Sequence, residues 1–385
     1  MNLELLAVQL NTELLDSITK RLGSSLSKEM REAFLRHPRH DFLTTFKPKY
    51  SDTWFDTTNG WTEKSLTEVF KDQSLAVASS STLIKSAQST PSFIIALLNR
   101  LNLQSAKKVL EIGSGTAWLL ALIASIVGPK GMALGIEILP DLVEQSQKTL
   151  LKSGLPWARV VYGDGGDPPV AEKFDRIIST SASGIPRWLA DYLKDGGLAA
   201  FAIDIPGFGD RTVIFKRKGK QGIGIVSQYS LSVPAAGNLS GIDRNRVRRI
   251  NWETFKKNHR FIPLSQVLPY EQINFLTHAR VGEFILNVLA GAKLFRISTS
   301  SGKTVYAAGI HGAKHQDTAF VNGKGIFSRG STVHEERIVE SLEEYGRTRK
   351  KGLELTPILD FDKTKDSNIL NWRLGPTMPS LLKTE

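Results

Sequence analysis

The sequence predicts an α/β fold: an open, mostly parallel sheet with helices on both faces, followed by a C-terminal α+β appendage. Three observations carry this. Between residues 107 and 241, apolar runs of strand length alternate with helical runs, the signature of βαβ units. The stretch 107–118, KKVLEIGSGTAW, joins a buried strand to a Gly113-Ser114-Gly115 turn and a helix start. Glycines let a backbone approach a ligand, and a helix start offers free N–H groups. Finally, four successive strand ends carry Gly, Glu, Asp and Ser/Thr, and open parallel sheets bind ligands at those ends.

Taken in order, residues 1 to 45 read as helical. Leu14, Leu15, Ile18 and Leu22 recur at helical spacing, and Gly23 ends the pattern. A second helix, Ser27 to Leu35, stops before Pro38. His37 and His40 flank a Pro-Arg pair and read as packing or surface histidines, not as metal ligands. Residues 46 to 82 are polar with scattered Trp54, Phe55 and Trp61, and read as an irregular connection. Pro91 opens a helix whose buried stripe is Phe93, Ile94, Leu97, Leu98 and Leu101. Ser89, just ahead of it, reads on its own as a cap or turn serine.

In the core, strands are expected at 109–112, 131–136, 158–162, 174–179 and 198–203, with helices at 117–127, 139–151 and 185–193. Segments 212–216 and 223–233 suggest a closing antiparallel pair. Gly113 and Gly115 form the ligand turn. Glu137 ends the second strand, where a carboxylate can accept from both ribose hydroxyls of a nucleoside. Asp164 ends the third, within reach of an adenine amino group, and Glu111 supports the turn from beneath.

Residues 242 to 385 change character. Val281 to Leu289 reads as a helix, and 293–297 and 304–308 as strands. Thr332 with Glu335 makes a capping-box pattern ahead of a helix with Ile338, Leu342 and Tyr345 on one face, ended by Gly346. The organisation expected is therefore an N-terminal helical region and connection (1–106), a ligand-binding core (107–241) and a basic appendage (242–385).

Composition narrows the function classes. A chain of 385 residues accommodates two domains or a core with an appendage. It has no cysteine, which excludes disulfides, a thiolate nucleophile and cysteine zinc sites. The apolar run Ala117 to Val127 is far short of a membrane span. The N-terminus carries acids early and lacks a basic region, so no secretory signal is read and a cytoplasmic location is expected. The net charge of +12 suits anionic partners. Basic residues cluster at Arg244, Arg246, Arg248, Arg249, Lys256, Lys257 and Arg260, and again at Arg347, Arg349, Lys350 and Lys351. Solvated faces are the simplest account; docking of an acidic peptide or protein is the alternative. The chain shows no recognised nucleic-acid module. No metal site is expected, and the oligomeric state is not legible.

From Arg36 to about Gly241 the chain resembles the protein-L-isoaspartate O-methyltransferases, a Rossmann-like branch of the S-adenosylmethionine-dependent methyltransferases. HPRHDF resembles the family's Pro-Arg-x-x-Phe, SAQSTP its Ser-x-Pro segment, VLEIGSGTAW its cofactor loop, VYGDGG its Gly-Asp-Gly segment and LSVPAAG its Phe-Val-Pro turn. The run FDRIISTSASGIPRWLADYLKDGG resembles the family's fourth strand and following helix. The chain departs from the pattern at Ala117, where a third glycine is usual, and at Phe93 and Ile94, where some relatives carry histidine. The appendage is absent from minimal repair enzymes. At VYAAGIHG and GSTVHEERIVESLEEYGRTRKKG it looks similar to extensions of relatives that methylate aspartate in ribosomally made peptides.

The resemblance implies S-adenosylmethionine as cofactor, contacted by Gly113, Gly115, Glu137 and Asp164, and a protein or peptide substrate. It makes Ser89 the active-site position, a donor that orients the acceptor. Methyl transfer is an in-line displacement, and a carboxylate with a pKa near 4 is already ionised at neutral pH. No general base is needed, so the lack of a Ser-His-Asp set is no objection. Repair and peptide tailoring both remain open. So does a methyltransferase acting on RNA or another nucleophile, although Ser179-Thr180-Ser181-Ala182 is not the Asn/Asp-Pro-Pro-aromatic set of many amino-group enzymes. Ala117 keeps a non-catalytic Rossmann-like binding protein in view.

Overall fold

The computed structural model describes residues 2–23, 25–49, 51–79, 84–182, 185–186, 188–205, 209–229, 247–268, 293–298, 304–312, 317–322, 324–350, 353–360 and 371–376. Helix α1 (Leu3–Leu22) begins on Asn2, whose side chain accepts from the Glu4 and Leu5 amides. It ends on Gly23 at φ 63°, a left-handed cap that glycine adopts without steric cost. Leu14, Leu15 and Ile18 form its buried face, as their spacing requires. Helix α2 (Lys28–Arg36) is capped by Ser27 and stops short of Pro38.

Residues 46 to 82 are not the irregular connection that their composition suggests. They contain β1 (Thr45–Pro48), β2 (Phe55–Asp56), α3 (Glu63–Val69) and β3 (Leu75–Ser79). With β4 (Ile84–Gln88) these strands form an antiparallel sheet ordered β2-β1-β3-β4. Strands this short hold too few residues for alternation to register in a sequence window. The start of α3 is marked by a reciprocal box of Thr62 and Ser65, with serine in the place usually taken by Glu or Gln. The aromatics cohere as well: Phe46 stacks on Phe55 at 5.0 Å and on Trp61 at 5.8 Å.

His37 and His40 pack as expected. His40 meets Trp61 and Phe70, each at 5.3 Å. His37 is buried and shares a 2.7 Å hydrogen bond with Ser125. Burial, aided by Arg36, pushes its pKa down to about 4. The unfolded imidazole protonates near 6.5, so as pH falls through that window the unfolded state binds the extra proton and stability drops. A loss of about 2 kcal/mol from this residue is expected between about pH 7 and pH 5. Urea titrations at the two pH values should show it in the natural chain, and His37→Gln should remove that part of the slope.

Helix α4 (Pro91–Leu101) starts at the expected proline and buries Ile94, Leu97, Leu98 and Leu101. The core continues with β5 (Lys108–Ile112), α5 (Trp118–Val127), β6 (Met132–Glu137), α6 (Pro140–Lys152), β7 (Ala158–Tyr162) and β8 (Phe174–Ala182). Then come α7 (Leu189–Tyr192), β9 (Leu193–Ile205), β10 (Gly209–Lys218) and β11 (Gln221–Tyr229). Helix α7 is shorter than the predicted span 185–193, starting after Trp188 and ending at Tyr192. Strand β9 accordingly begins earlier than expected and includes the Asp195-Gly196-Gly197 turn.

Strands β7, β6, β5, β8 and β9 are parallel neighbours in that order. The chain runs outward from β5 to β6 and β7, then returns to the other side of β5 as β8. That reversal is the switch point at which such sheets bind ligands. Strand alternation splits the core between the two faces. Val109 packs with Leu97, Leu120 and Ile178 on one side, and Leu110 and Ile112 with Ile136, Phe201 and Trp188 on the other. Strands β10 and β11 continue the sheet as an antiparallel pair, as predicted, but do not form its edge.

The C-terminal part supplies β12 (Val247–Asn251), α8 (Trp252–Phe255), β13 (Arg260–Pro263), α9 (Leu264–Val267), β14 (Lys293–Ser298) and β15 (Thr304–His311). It continues with β16 (Thr318–Val321), β17 (Gly325–Arg329), α10 (Val333–Lys350), β18 (Leu353–Asp360) and β19 (Asn371–Pro376). A third sheet runs β12-β14-β15-β16-β17-β13. Ile338, Leu342 and Tyr345 of α10 pack on Ala308, Ala319 and Val321 of it. Two expectations fail here. Gly346 does not end α10, which runs on to Lys350; glycine in a helix interior costs about 1 kcal/mol without forcing a stop. Glu335 does not turn back to cap the helix; its carboxylate accepts from Arg260 at 3.0 Å and from the Ser328 hydroxyl. The expected helix at 281–289 lies outside the described residues. Strand β18 then returns to pair antiparallel with β11, extending the core sheet by β18 and β19. Among the described residues no helix is long and apolar enough to cross a membrane.

Candidate active site

The turn after β5 requires its glycines. Gly113 and Gly115 have φ of 76° and 54°, and the Gly113 and Ser114 amides both donate to Ile136 O, at 2.8 and 3.1 Å. A Cβ on Gly113 would stand 3.3 Å from Ser181 Oγ, and one on Gly115 3.2 Å from Ser86 Oγ. Ala117 occupies a third left-handed position, at φ 63°, fully buried. It therefore makes the turn that glycine would make, at a strain of about 1–2 kcal/mol. Its buried methyl and the lower entropy of its unfolded state offset that by a similar amount. Ala117→Gly is thus expected to change stability by less than about 1 kcal/mol, whereas β-branched Ala117→Val should lose more than about 2 kcal/mol. Thermal and urea unfolding of the two variants distinguishes them.

Glu137 sits at the end of β6, 5% exposed. Its Oε2 accepts from the Gly115 amide at 2.7 Å, and its Oε1 from the Ile138 and Leu139 amides at 2.9 and 3.0 Å. A carboxylate offers about four acceptor sites, so one remains for a hydroxyl. Beneath it Gly135 is required, because a Cβ there would fall 2.1 Å from Ser114 Oγ. Glu111 is 1% exposed, and its Oε2 has no hydrogen-bond partner among the described residues. Burial, reinforced by the Glu137 charge, raises its pKa well above the ordinary carboxylate range.

Ser89, between β4 and α4, is half-buried. Together with Gln88, Glu111, Gly113, Thr116 and Thr180 it lines a small cleft of about 30 Å3 that opens to solvent. Ile94, Trp118 and Leu119 form the apolar part of that wall. Of the residues singled out in the sequence, Ser89, Gly113 and Glu111 share this cleft; Gly115 and Glu137 stand behind it through their mutual hydrogen bond. Asp164 is not in the cleft lining; it is half-buried after β7, next to Gly163, whose amide donates to Glu137 O at 3.1 Å, and its Oδ1 accepts from the Gly166 amide at 2.7 Å. Its segment is pinned by Trp188, whose indole N–H donates to Gly165 O at 2.9 Å.

A cationic sulfonium nucleoside fits these groups. The orphaned Glu111 oxygen offers a buried acceptor, Glu137 retains an acceptor site, and the positive-φ glycines keep the turn free of side chains. Glu137 and the Gly113–Gly115 turn would hold the nucleoside, with Glu111 toward a positive charge.

Sequence reasoning underweighted Arg39, which is 1% exposed. Its Nη1 donates to Val69 O, Lys71 O and Gln73 O at 3.4, 3.5 and 3.0 Å, its Nη2 to Ser89 O at 3.4 Å, and its Nε to Gln88 Oε1 at 3.1 Å. The guanidinium lies 5.2 Å from the Trp118 ring centroid. Burial pushes its pKa down to about 9, against the pull of Asp72, and it stays charged at neutral pH. Gln88 and Thr116 were also missed; an uncharged amide and a hydroxyl give no sequence signal until something places them together.

The basic clusters are partly spent inside the fold. Arg260 pairs with Glu335 at 3.0 Å, Arg347 with Glu344 at 2.9 Å, and Lys256 with Glu253. Arg249 and Lys257 are exposed. Arg244 and Arg246 lie outside the described residues, as do the side chains of Arg248, Arg349, Lys350 and Lys351.

Comparison with known proteins agrees with the geometry. A family model described as protein-L-isoaspartate(D-aspartate) O-methyltransferase matches residues 9–238. A protein-L-isoaspartate O-methyltransferase of Pyrococcus horikoshii is 31% identical over 180 residues, covering 46% of this chain and 70% of the relative. The enzyme of that name from Pyrococcus abyssi is 32% identical over 180 residues, 46% of this chain and 72% of its own. A solved structure named protein-L-isoaspartate O-methyltransferase shares the fold at a TM-score of 0.56 and 19% identity, over 95% of this chain and 99% of that one. With the glycine turn, the acidic strand end and the serine cleft at one switch point, the chain belongs to the protein-L-isoaspartate(D-aspartate) O-methyltransferase family, whose cofactor is S-adenosylmethionine.

Proposed function

We propose that this chain methylates the free carboxylate of isoaspartyl residues in proteins or peptides, with Ser89 as the group that orients the acceptor. The observation carrying the proposal is that Ser89 and the Gly113 turn face one cleft. S-adenosylmethionine supplies an electrophilic methyl group when bound. The Ser89 hydroxyl donates to one carboxylate oxygen and leaves the other aligned for attack. Ile94, Trp118 and Leu119 exclude water from that side. Orientation and dehydration of this kind account for large rate factors without a base. Gly113, Gly115 and Glu137 are the cofactor contacts we favour, with Asp164 reaching the adenine edge from the end of β7.

We divide the chain into an N-terminal region (1–106), the cofactor-binding core (107–241) and the appendage (242–385). The exposed Arg249 and Lys257 of the appendage favour an acidic peptide as the substrate presented to the core. This is the observation that keeps peptide tailoring beside general repair.

The test offers purified protein and radiolabelled S-adenosylmethionine an isoaspartyl peptide, the matched aspartyl peptide and total tRNA. Base-labile label on the isoaspartyl peptide is expected, with Ser89→Ala slower by about 10²-fold for a lost orienting donor. Label on the aspartyl peptide alone would favour tailoring. Label on tRNA alone would overturn the acceptor.

A further inference from the structure

Gln88 joins two parts of the site that the chain keeps far apart. Its Oε1 accepts from Arg39 Nε at 3.1 Å, and its Nε2 donates to Thr116 Oγ1 at 2.8 Å. Gln88, Arg39 and Thr116 are all buried, at 6%, 1% and 5% exposure. Thr116 belongs to the cofactor turn, between Gly115 and Ala117; Gln88 precedes Ser89. The same Arg39 donates to Ser89 O. One turn later Asp72 Oδ1 accepts from the Ser92 amide at 2.9 Å, while its Oδ2 pairs with Arg21 at 2.6 Å. The serine segment is thus fixed from behind by Arg39 and Asp72. Gln88 is the side chain that ties it to the cofactor turn.

We propose that Gln88 is a positioning residue that couples the placement of Ser89 to the state of the cofactor turn, so that a loaded turn orders the acceptor segment. The inference rests on the cofactor corner and, for its effect on rate, on the acceptor reading above. The chemistry of the pair gives it direction. A movement of Thr116 on cofactor binding pulls on an amide whose other end is held by a buried cation, and the backbone between Gln88 and Ser89 follows. Such a link is reciprocal: an acceptor that orders Ser89 must tighten cofactor binding by the same factor.

The experiment compares the natural chain with Gln88→Met and Gln88→Glu. Methionine is near-isosteric and removes both hydrogen bonds. Glutamate accepts from Arg39 and can accept the Thr116 hydroxyl proton, so it restores the link. The first readout needs no acceptor: hydrogen exchange of the amides at 86–92, with and without S-adenosylhomocysteine. Protection by S-adenosylhomocysteine is expected to slow exchange about tenfold in the natural chain and in Gln88→Glu, and to vanish in Gln88→Met. The second is methyl transfer to the isoaspartyl peptide, where Gln88→Met should lower kcat about tenfold or more with little change in S-adenosylhomocysteine affinity. Equal protection in all three proteins would overturn the proposal, and so would a Gln88→Met enzyme that is merely less heat-stable with kcat intact. If the natural chain ignores the isoaspartyl peptide, the acceptor reading fails alone, and the exchange data still decide for or against Gln88.

Discussion

Replacing Arg39 with methionine is expected to destabilise the protein by about 3–5 kcal/mol, the largest single effect we foresee outside the apolar core. The side chain is 1% exposed and satisfies the carbonyls of Val69, Lys71, Gln73 and Ser89 together with the Gln88 amide oxygen. Each buried acceptor left unpaired costs about 1–3 kcal/mol, reduced by the release of a desolvated guanidinium. Arg39→Lys should recover little, since a point-like ammonium cannot reach the five acceptors that the fork serves. Urea unfolding of the two variants is the check. A Lys variant as stable as the natural chain would mean that charge beside Asp72, not the fork, is what the site uses. The same substitution should disturb Ser89, whose carbonyl is one of the acceptors, so activity per folded molecule should fall as well.

Gly113→Val should abolish useful cofactor binding, weakening S-adenosylhomocysteine by about 100-fold, or about 2.7 kcal/mol. At φ 76° a β-branched residue is strongly disfavoured. Its Cβ would stand 3.3 Å from Ser181 Oγ, and the branch methyls would project at the cleft wall. Gly113→Ala should fall between, carrying about 1–2 kcal/mol of backbone strain with a smaller obstruction. Calorimetric titration measures both. Unchanged affinity in the valine variant would place the cofactor elsewhere than this corner.

The two predictions mark different kinds of legibility. Gly113 was legible through its context: a glycine turn alone is common in loops, but here the next strand ends carry Glu137 and Asp164. Glu137 and Gly115 were legible on the same argument, and the structure joins them in a hydrogen bond of 2.7 Å. The strands and helices from residue 108 to 162 were read to within a residue of their ends, since βαβ units repeat a strong local period, while the bounds from β8 to β10 were missed by several residues. Arg39 was legible as part of a motif but not as a buried anchor. It stands in the HPRHDF segment that resembles the family's Pro-Arg-x-x-Phe, but its burial follows from the turn at 69–73 folding back over it, which no local pattern encodes. The sheet of β1 to β4 was lost for a related reason. Strands of two to five residues carry little alternation, and their pairing partners lie up to about 30 residues away, where only tertiary contact can select them.

By itself the sequence determined the strand–turn–helix corner, the acid at the end of β6, the serine ahead of α4 and the family to which they belong. All follow from local periodicity and from backbone conformations that only certain residues can adopt. The tertiary structure alone decided that Arg39 holds the serine segment, that Gln88 bridges it to Thr116, that one Glu111 oxygen has no partner among the described residues, and that β18 returns to pair with β11. Those are pairings between residues distant in the chain. Their energies come from burial and from hydrogen bonds that exist only once the segments meet.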